Sequence, residues 1–590
     1  MPKIRAKRSA IWQHFVTEYQ ENGSKTIVKC NRCNLIVPCC KNTTNLWSHV
    51  RTHHRNVLEK NSPDVSNKKA NEARAIASNS SEFEREPITF SSSKAHEITR
   101  SLVKMIAEDV LPFSIVNGNG FASFVGKLNG KYKIPKRNTL IAKFLPELYE
   151  GERRQLNESL SRAACVHVAI SLRPSIVHAG LILATSVHFS VDGVQHHKLL
   201  RISFRPTDYT VPISSELGEI AETWRFYSKV NVVTVDNTFN DRVHGLHNTC
   251  FAHTLNHIAQ SAVRETKIVL DLVEKCRDVV RDSKIQNAVA KSQGSAASSS
   301  KRLSLLKDTD DRWVSTYSML NRMHELKPIL SKVLADMPPS LSENEWNVIS
   351  EVIRVLMPLH AATKELLCDC YVTISKIIPV VHGIEAVLRN THDLSIAATL
   401  FRDNLLSRFD ERFDNVEEIV HYAVATFLDP RYKDVAFRSE NCVQKVKDLL
   451  MKKLNVFDDT NTGTCDARAI RSTKTKDENM ETSVLWAVFD KRVQELAVEF
   501  DDNFVVNCLS RQELDRYVNL KVIGRKDNPI TWWNTTGRTM FPNLSKIAAD
   551  YLCIPVYSVL NNPLFSKLHK ILFDRRVRLS DEQTNMLAVI

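Results

Sequence analysis

KVNVVTVDNTFN, Lys229 to Asn240, decides the fold. Val230-Asn231-Val232-Val233-Thr234-Val235 is an almost unbroken β-branched run, which reads as one strand apolar on both faces. Such a strand needs covering layers on both sides and so belongs at the centre of an α/β unit, parallel to its neighbours. The run stops at Asp236-Asn237. Asp236 therefore stands at the strand's carboxyl end, the edge where open α/β sheets hold their ligands. Asp and Asn are also ordinary turn residues, so a turn cap is the plain alternative.

Upstream lie three more strand-like runs: Val166 to Leu172, Ile182 to Phe189 and Leu199 to Phe204. Arg173-Pro174-Ser175 and Asp192-Gly193 separate them, as a meander requires. A helical segment follows at Glu216 to Tyr227, with Leu217, Ile220, Ala221 and Trp224 at helical spacing. Three antiparallel strands, a helix and a central parallel strand resemble the opening of a ribonuclease-H-like domain. That fold performs two-metal phosphoryl transfer with clustered carboxylates.

VVTVDNTFND, followed by Cys250-Phe251-Ala252-His253-Thr254-Leu255-Asn256, resembles the core of the hAT-family transposases and their domesticated BED-finger relatives. Asp311-Arg312-Trp313-Val314-Ser315-Thr316-Tyr317-Ser318-Met319-Leu320, Leu428-Asp429-Pro430-Arg431-Tyr432-Lys433 and Pro529-Ile530-Thr531-Trp532-Trp533 match further stretches of that family in order. The resemblance implies a large helical insertion within the core and a C-terminal tail that closes it. That tail also implies a homodimer, and Leu544, Ile547, Ala548, Tyr551 and Leu552 have the apolar periodicity of a packed helix face.

Composition limits the alternatives. The 590 residues are 43% hydrophobic, enough for several cores, and no apolar run approaches the length of a membrane span. The basic N-terminus, with Lys3, Arg5, Lys7 and Arg8, lacks the apolar segment of a secretory signal and reads as a phosphate-contacting arm or import patch. Thirteen scattered cysteines fit a reducing compartment, and a formal charge of +13 permits a polyanionic partner. The expected location is the nucleus.

Near the start, Cys30 and Cys33 form a CxxC knuckle, and His49 and His54 lie about a helical turn apart. Thiolates on a tight turn and imidazoles on one helix face converge on tetrahedral zinc. His53 is the alternative to His54. Trp12 and Phe15 would supply a small covering core. The pattern resembles a BED zinc finger. In that module the helix enters the major groove, which puts Asn42, Thr43, Thr44, Asn45 and Ser48 near base edges and Lys41, Arg51 and Arg55 near phosphates of double-stranded DNA. A protein-binding finger is the competing use.

The expected architecture is mainly α, with an α/β ribonuclease-H-like core interrupted by a large helical insertion and preceded by a small ββα zinc finger. Its boundaries are a finger at 9–58, a flexible linker at 59–96 and a small helical domain at 97–160. The core's first part spans 161–258, the helical insertion 259–480 and the C-terminal dimerisation region 481–590. Lys291 to Lys301 and Asp458 to Thr482 read as polar loops. Ser342 and Glu345 form an S-x-x-E capping box that would open a helix over Trp346 to Leu359.

The family's chemistry uses two aspartates and a glutamate. Asp236 matches the second aspartate. The first belongs near Ser171, yet the sequence holds no Asp or Glu between Glu158 and Asp192. The glutamate's place reads Asn562-Pro563-Leu564-Phe565-Ser566. One carboxylate of three cannot hold and align two metal ions. Asp236 is thus expected to be a relic and the chain no enzyme: a DNA-binding regulator of transcription or chromatin. Cys250 and His253 alone lack the partners for a second zinc site. An active transposase and a protein-interaction scaffold are the rival readings.

Overall fold

The computed structural model describes residues 14–19, 26–33, 46, 49–50, 92–174, 180–207, 212–236, 245–293, 303–309, 312–335, 337–367, 374–458, 480–496, 510–559, 571 and 579–590. They belong to two compact units, Met1–Thr89 and Phe90–Ile590.

In the first unit, β1 (Phe15–Tyr19) and β2 (Thr26–Cys30) form an antiparallel hairpin with Phe15 opposite Cys30. Phe15, Val28, Cys30, Leu46 and Val50 are buried together beside Cys33. Modules of this size commonly draw on a metal or another staple as well as on apolar burial.

The second unit begins with α1 (Ser92–Glu108), which starts inside the segment read as linker. Its stripe Leu102, Val103, Ile106 and Ala107 buries against Phe113, Val116 and Leu140. After α2 (Leu145–Arg162) comes a five-stranded sheet in the order β5-β4-β3-β6-β7. β3 (Val166–Pro174), β4 (Leu181–Val191) and β5 (Val194–Arg205) are antiparallel, while β6 (Val230–Val235) runs parallel to β3. This is the arrangement the strand pattern predicts, and β6 has the predicted bounds.

Within the sheet, two strands differ from the sequence reading, and the helix expected at Glu216 to Tyr227 runs over Ile213–Thr223. β5 starts at Val194 rather than Leu199, because the Asp192-Gly193 turn, with φ of +53° and +81°, fixes the hairpin and draws the polar Gln195-His196-His197 into register. β7 (Leu246–Thr249) was not legible: LHNT is short and polar, and only its pairing with β6 makes it a strand.

Alternation along the strands sorts the two faces. Val166, Val168 and Ile170 of β3, with Val233 and Val235 of β6, bury under α3 (Ile213–Thr223). The opposite face carries His167, Ala169 and Ser171, and the segment Asp550 to Val559 crosses it. There Pro555 O accepts from Thr234 Oγ1 at 2.7 Å, and Val556 O accepts from the Phe251 N–H at 3.1 Å. The C-terminal part of the chain thus closes the core, as the family resemblance implies.

From α4 (Phe251–Glu265) onward the regular elements among the described residues are helices. The Ser342–Glu345 capping box forms with Glu345 N–H on Ser342 Oγ at 3.2 Å and Ser342 N–H on Glu345 Oε2 at 2.7 Å, and opens α5 (Glu343–Leu367). α6 (Ile377–Arg389) and α7 (Met480–Leu496) cross at Gly383, where an added Cβ would lie 2.3 Å from Leu485 O. The LDPRYK turn is buried: Asp429 takes both Arg431 Nε at 2.9 Å and Arg431 Nη2 at 2.7 Å, plus the Ser375 hydroxyl.

In α8 (Pro542–Leu552), the stripe Leu544, Ile547, Ala548, Tyr551 and Leu552 is consumed by packing within this chain. Apolar periodicity is equally what packing within one chain requires, and that is where the stripe is used. The last helix, α9 (Asp581–Val589), lies on β5 and α2, with Asn585 Oδ1 accepting the Ile202 N–H at 2.7 Å. Among the described residues no helix is long and apolar enough to cross a membrane.

Candidate functional site

Two groups of metal-capable side chains form among the described residues, one in each unit. In the first, β2 ends at Cys30, the following turn carries Cys33, and His49 comes from the helical piece around Val50. One ligand atom from each lies within 4.8 Å of the others. Cys33 Sγ is 3.2 Å from His49 Nε2, and Phe15 meets the His49 ring edge-on at 5.8 Å between centroids. The Cys30 thiol is pushed up by burial. Backbone N–H groups of Arg32 and Cys33 and the Arg32 charge outweigh that and lower it overall, which favours the thiolate a metal needs. The donor set therefore fits a zinc-type ion. The fourth expected ligand, His54, its alternative His53, and the DNA-facing set Lys41, Asn42, Thr43, Thr44, Asn45, Ser48 and Arg51 lie outside the described residues.

The second group sits at the carboxyl end of β6. Asp236 is 1% exposed, and its Oδ2 accepts the Leu172 N–H at 3.2 Å. That bond places the Ser171 region of β3 beside Asp236, where the family's first aspartate is expected. Ser171 itself is fully buried. Asp236 Oδ1 lies 3.0 Å from His253 Nδ1, and Arg173 Nη2 lies 3.0 Å from His253 Nε2. Burial alone would push the His253 imidazole down. The Asp236 carboxylate and the Cys250 sulfur outweigh it, and the pKa is pushed up to about 9. Arg173 donating into Nε2 opposes a second ring proton, so the imidazolium requires that guanidinium to swing away. Asn562 lies outside the described residues.

Arg173 was missed by the sequence reading. The signal was available: Arg173 stands two residues beyond Ser171 and so shares its face of β3. Unlike Arg173, the histidines beneath that face could not have been assembled from sequence. His167 pairs in register with His188, and His188 with His197. His188 Nδ1 and His197 Nδ1 are 2.8 Å apart, and His167 Nε2–H donates to Asp550 O at 3.0 Å.

Two family models and several curated relatives match the chain. Residues 248–355 match the ZBED1 RNase-like helical domain, and residues 513–590 the hAT family C-terminal dimerisation region. The human zinc finger BED domain-containing protein 4 is 25% identical over 96% of this chain, which spans 50% of that relative's length. The putative AC transposase of Zea mays is 22% identical over 98% of the chain and 75% of its own length. The zinc finger BED domain-containing protein RICESLEEPER 3 of Oryza sativa subsp. japonica is 20% identical over 94% of the chain and 78% of its own length. With matching regions at 248–355 and 513–590, and relatives of both kinds along nearly its whole length, the chain is similar to the hAT transposase-derived BED zinc-finger proteins.

Proposed function

We propose that this chain is a nuclear DNA-binding regulator of transcription or chromatin whose transposase body no longer catalyses. The observation that carries the DNA-binding half is the convergence of Cys30, Cys33 and His49 on one point in a hairpin-based unit. Those residues, with His54, would hold one zinc ion, and the ion supplies the folding energy, on the order of 10 kcal/mol for such modules. The finger then presents the segment from Lys41 to Arg51 to duplex DNA, its cations on phosphates and its Asn, Thr and Ser side chains towards base edges.

Catalytic silence is supported by the surroundings of Asp236. Ser171 offers no charge on the neighbouring strand, and Asp236 is already engaged by Leu172 and His253. Self-association through the region 513–590 is supported by the matching dimerisation model. Two fingers on a two-fold axis favour paired half-sites.

The experiment is selection of bound sites from a random duplex pool, followed by titration at several salt concentrations. A selected sequence with steep salt dependence supports the regulator; no selected duplex leaves the scaffold reading in its place. An end-cleavage assay with magnesium or manganese, comparing the chain with Asp236→Ala, tests the body. Cleavage abolished by that substitution would reinstate the transposase reading that the maize relatives represent.

A further inference from the structure

The sequence left Cys250 and His253 without partners for a metal; the fold supplies one. β6 delivers Asp236, the residue before α4 delivers Cys250, and the first turn of α4 delivers His253. One ligand atom from each lies within 4.8 Å of the other two. Asp236 and Cys250 are buried and His253 is partly so.

The carboxylate is arranged as a ligand usually is. Its Oδ2 is tied back by the Leu172 N–H, the kind of outer contact that orients a ligating carboxylate. Its Oδ1 is buried and faces His253 Nδ1 at 3.0 Å, an ion pair that a bound ion would replace. With Cys250 Sγ on the same point, the two atoms are close enough to flank a common ion. The set is one oxygen, one sulfur and one nitrogen. Sulfur and imidazole select zinc-class ions, whereas magnesium takes hard oxygen ligands.

We propose that Asp236 Oδ1, Cys250 Sγ and His253 Nδ1 form a three-ligand site for one zinc-class ion, distinct from the finger. Binding displaces the Cys250 thiol proton to solvent, moves the His253 ring proton from Nδ1 to Nε2, and leaves a fourth coordination position for water. A single ion held this way is not the carboxylate-bridged pair of phosphoryl transfer, so the site is compatible with a silent body.

Arg173 is the competitor. With Nδ1 on an ion, Nε2 carries the ring proton, and that proton would face the guanidinium 3.0 Å away. The Arg173-bound and metal-bound arrangements therefore exclude each other. Arg173 is partly exposed near the end of β3 and has solvent to turn into.

The test loads the full-length chain with cobalt as the spectroscopic probe and counts bound metal by elemental analysis. Two equivalents are expected: Cys33→Ser removes the finger's ion, and Cys250→Ser removes the other, with loss of part of the sulfur-to-cobalt absorption. Arg173→Met should tighten the second site by roughly tenfold, the scale on which outer contacts tune metal affinity. Asp236→Asn, which keeps shape but not charge, should weaken it with an unchanged circular dichroism spectrum. One equivalent in both the wild type and Arg173→Met, or a Cys250→Ser protein that still binds two, overturns the proposal.

Discussion

Lowering the pH from 7.5 to 5.0 should destabilise the sheet far more than its carboxylates would suggest. His167, His188 and His197 stand side by side across β3, β4 and β5 under Asp550. Burial pushes His167 down to about 3 and His197 to about 4, and burial with the neighbouring His197 pushes His188 well below its ordinary value. Groups with depressed folded values stay neutral in the fold while the unfolded chain takes up protons below about 6.5, so their contribution is lost as pH falls. At pH 5.0 each unfolded histidine gains about 1.5 units of driving force, or about 2 kcal/mol, whatever its exact folded value below 5. Three give about 6 kcal/mol, comparable with the whole stability of an ordinary domain. His382 and His421, each pushed down to about 4 by burial, act in the same direction. His253, raised in the fold, offsets about 1 kcal/mol, and Asp550, raised by burial, also works against the loss. The assay is urea unfolding followed by tryptophan fluorescence at both pH values, with proton uptake on unfolding measured at pH 5.0. Equal urea midpoints, or imidazole resonances of these three residues titrating near 6.5 in the folded protein, would refute the reasoning.

Further expectations concern packing and metal. Arg431→Met strands the buried Asp429 carboxylate and should cost about 3–5 kcal/mol in chemical unfolding; a loss under 1 kcal/mol would mean the pair is not desolvated. Gly383→Ala drives a Cβ to 2.3 Å from the Leu485 carbonyl oxygen and should cost at least about 1–3 kcal/mol, whereas an unchanged unfolding midpoint would place the α6–α7 crossing elsewhere. Ser342→Ala removes one half of the capping box opening α5 and should cost about 1 kcal/mol, read as a shift in urea midpoint. Cys30→Ser should abolish zinc content in the finger and DNA binding together; a variant that binds DNA with unchanged affinity in chelator would separate the two.

Much of this fold is legible without coordinates because its signals are local. An unbroken β-branched run gives β6 and so puts Asp236 at a strand end. An Asp-Gly pair gives the β4–β5 turn, and a Ser–Glu spacing gives the start of α5. Cys30, Cys33 and His49 are legible for the same reason: metal ligands come in characteristic spacings, and the chain brings these together over a short distance.

What the tertiary structure alone decided are contacts between segments far apart in sequence. The apolar stripe of α8 could face a second copy or its own core, and periodicity is the same in both cases; packing places it inside. β7 has no strand signal of its own and exists through β6. Arg173 meets His253, and His167 meets Asp550, only because sheet register and the crossing C-terminal segment bring them together. Local patterns record how a residue suits its own element, but burial and charge pairing depend on which distant element lies over it, and that follows from the packing of the whole chain.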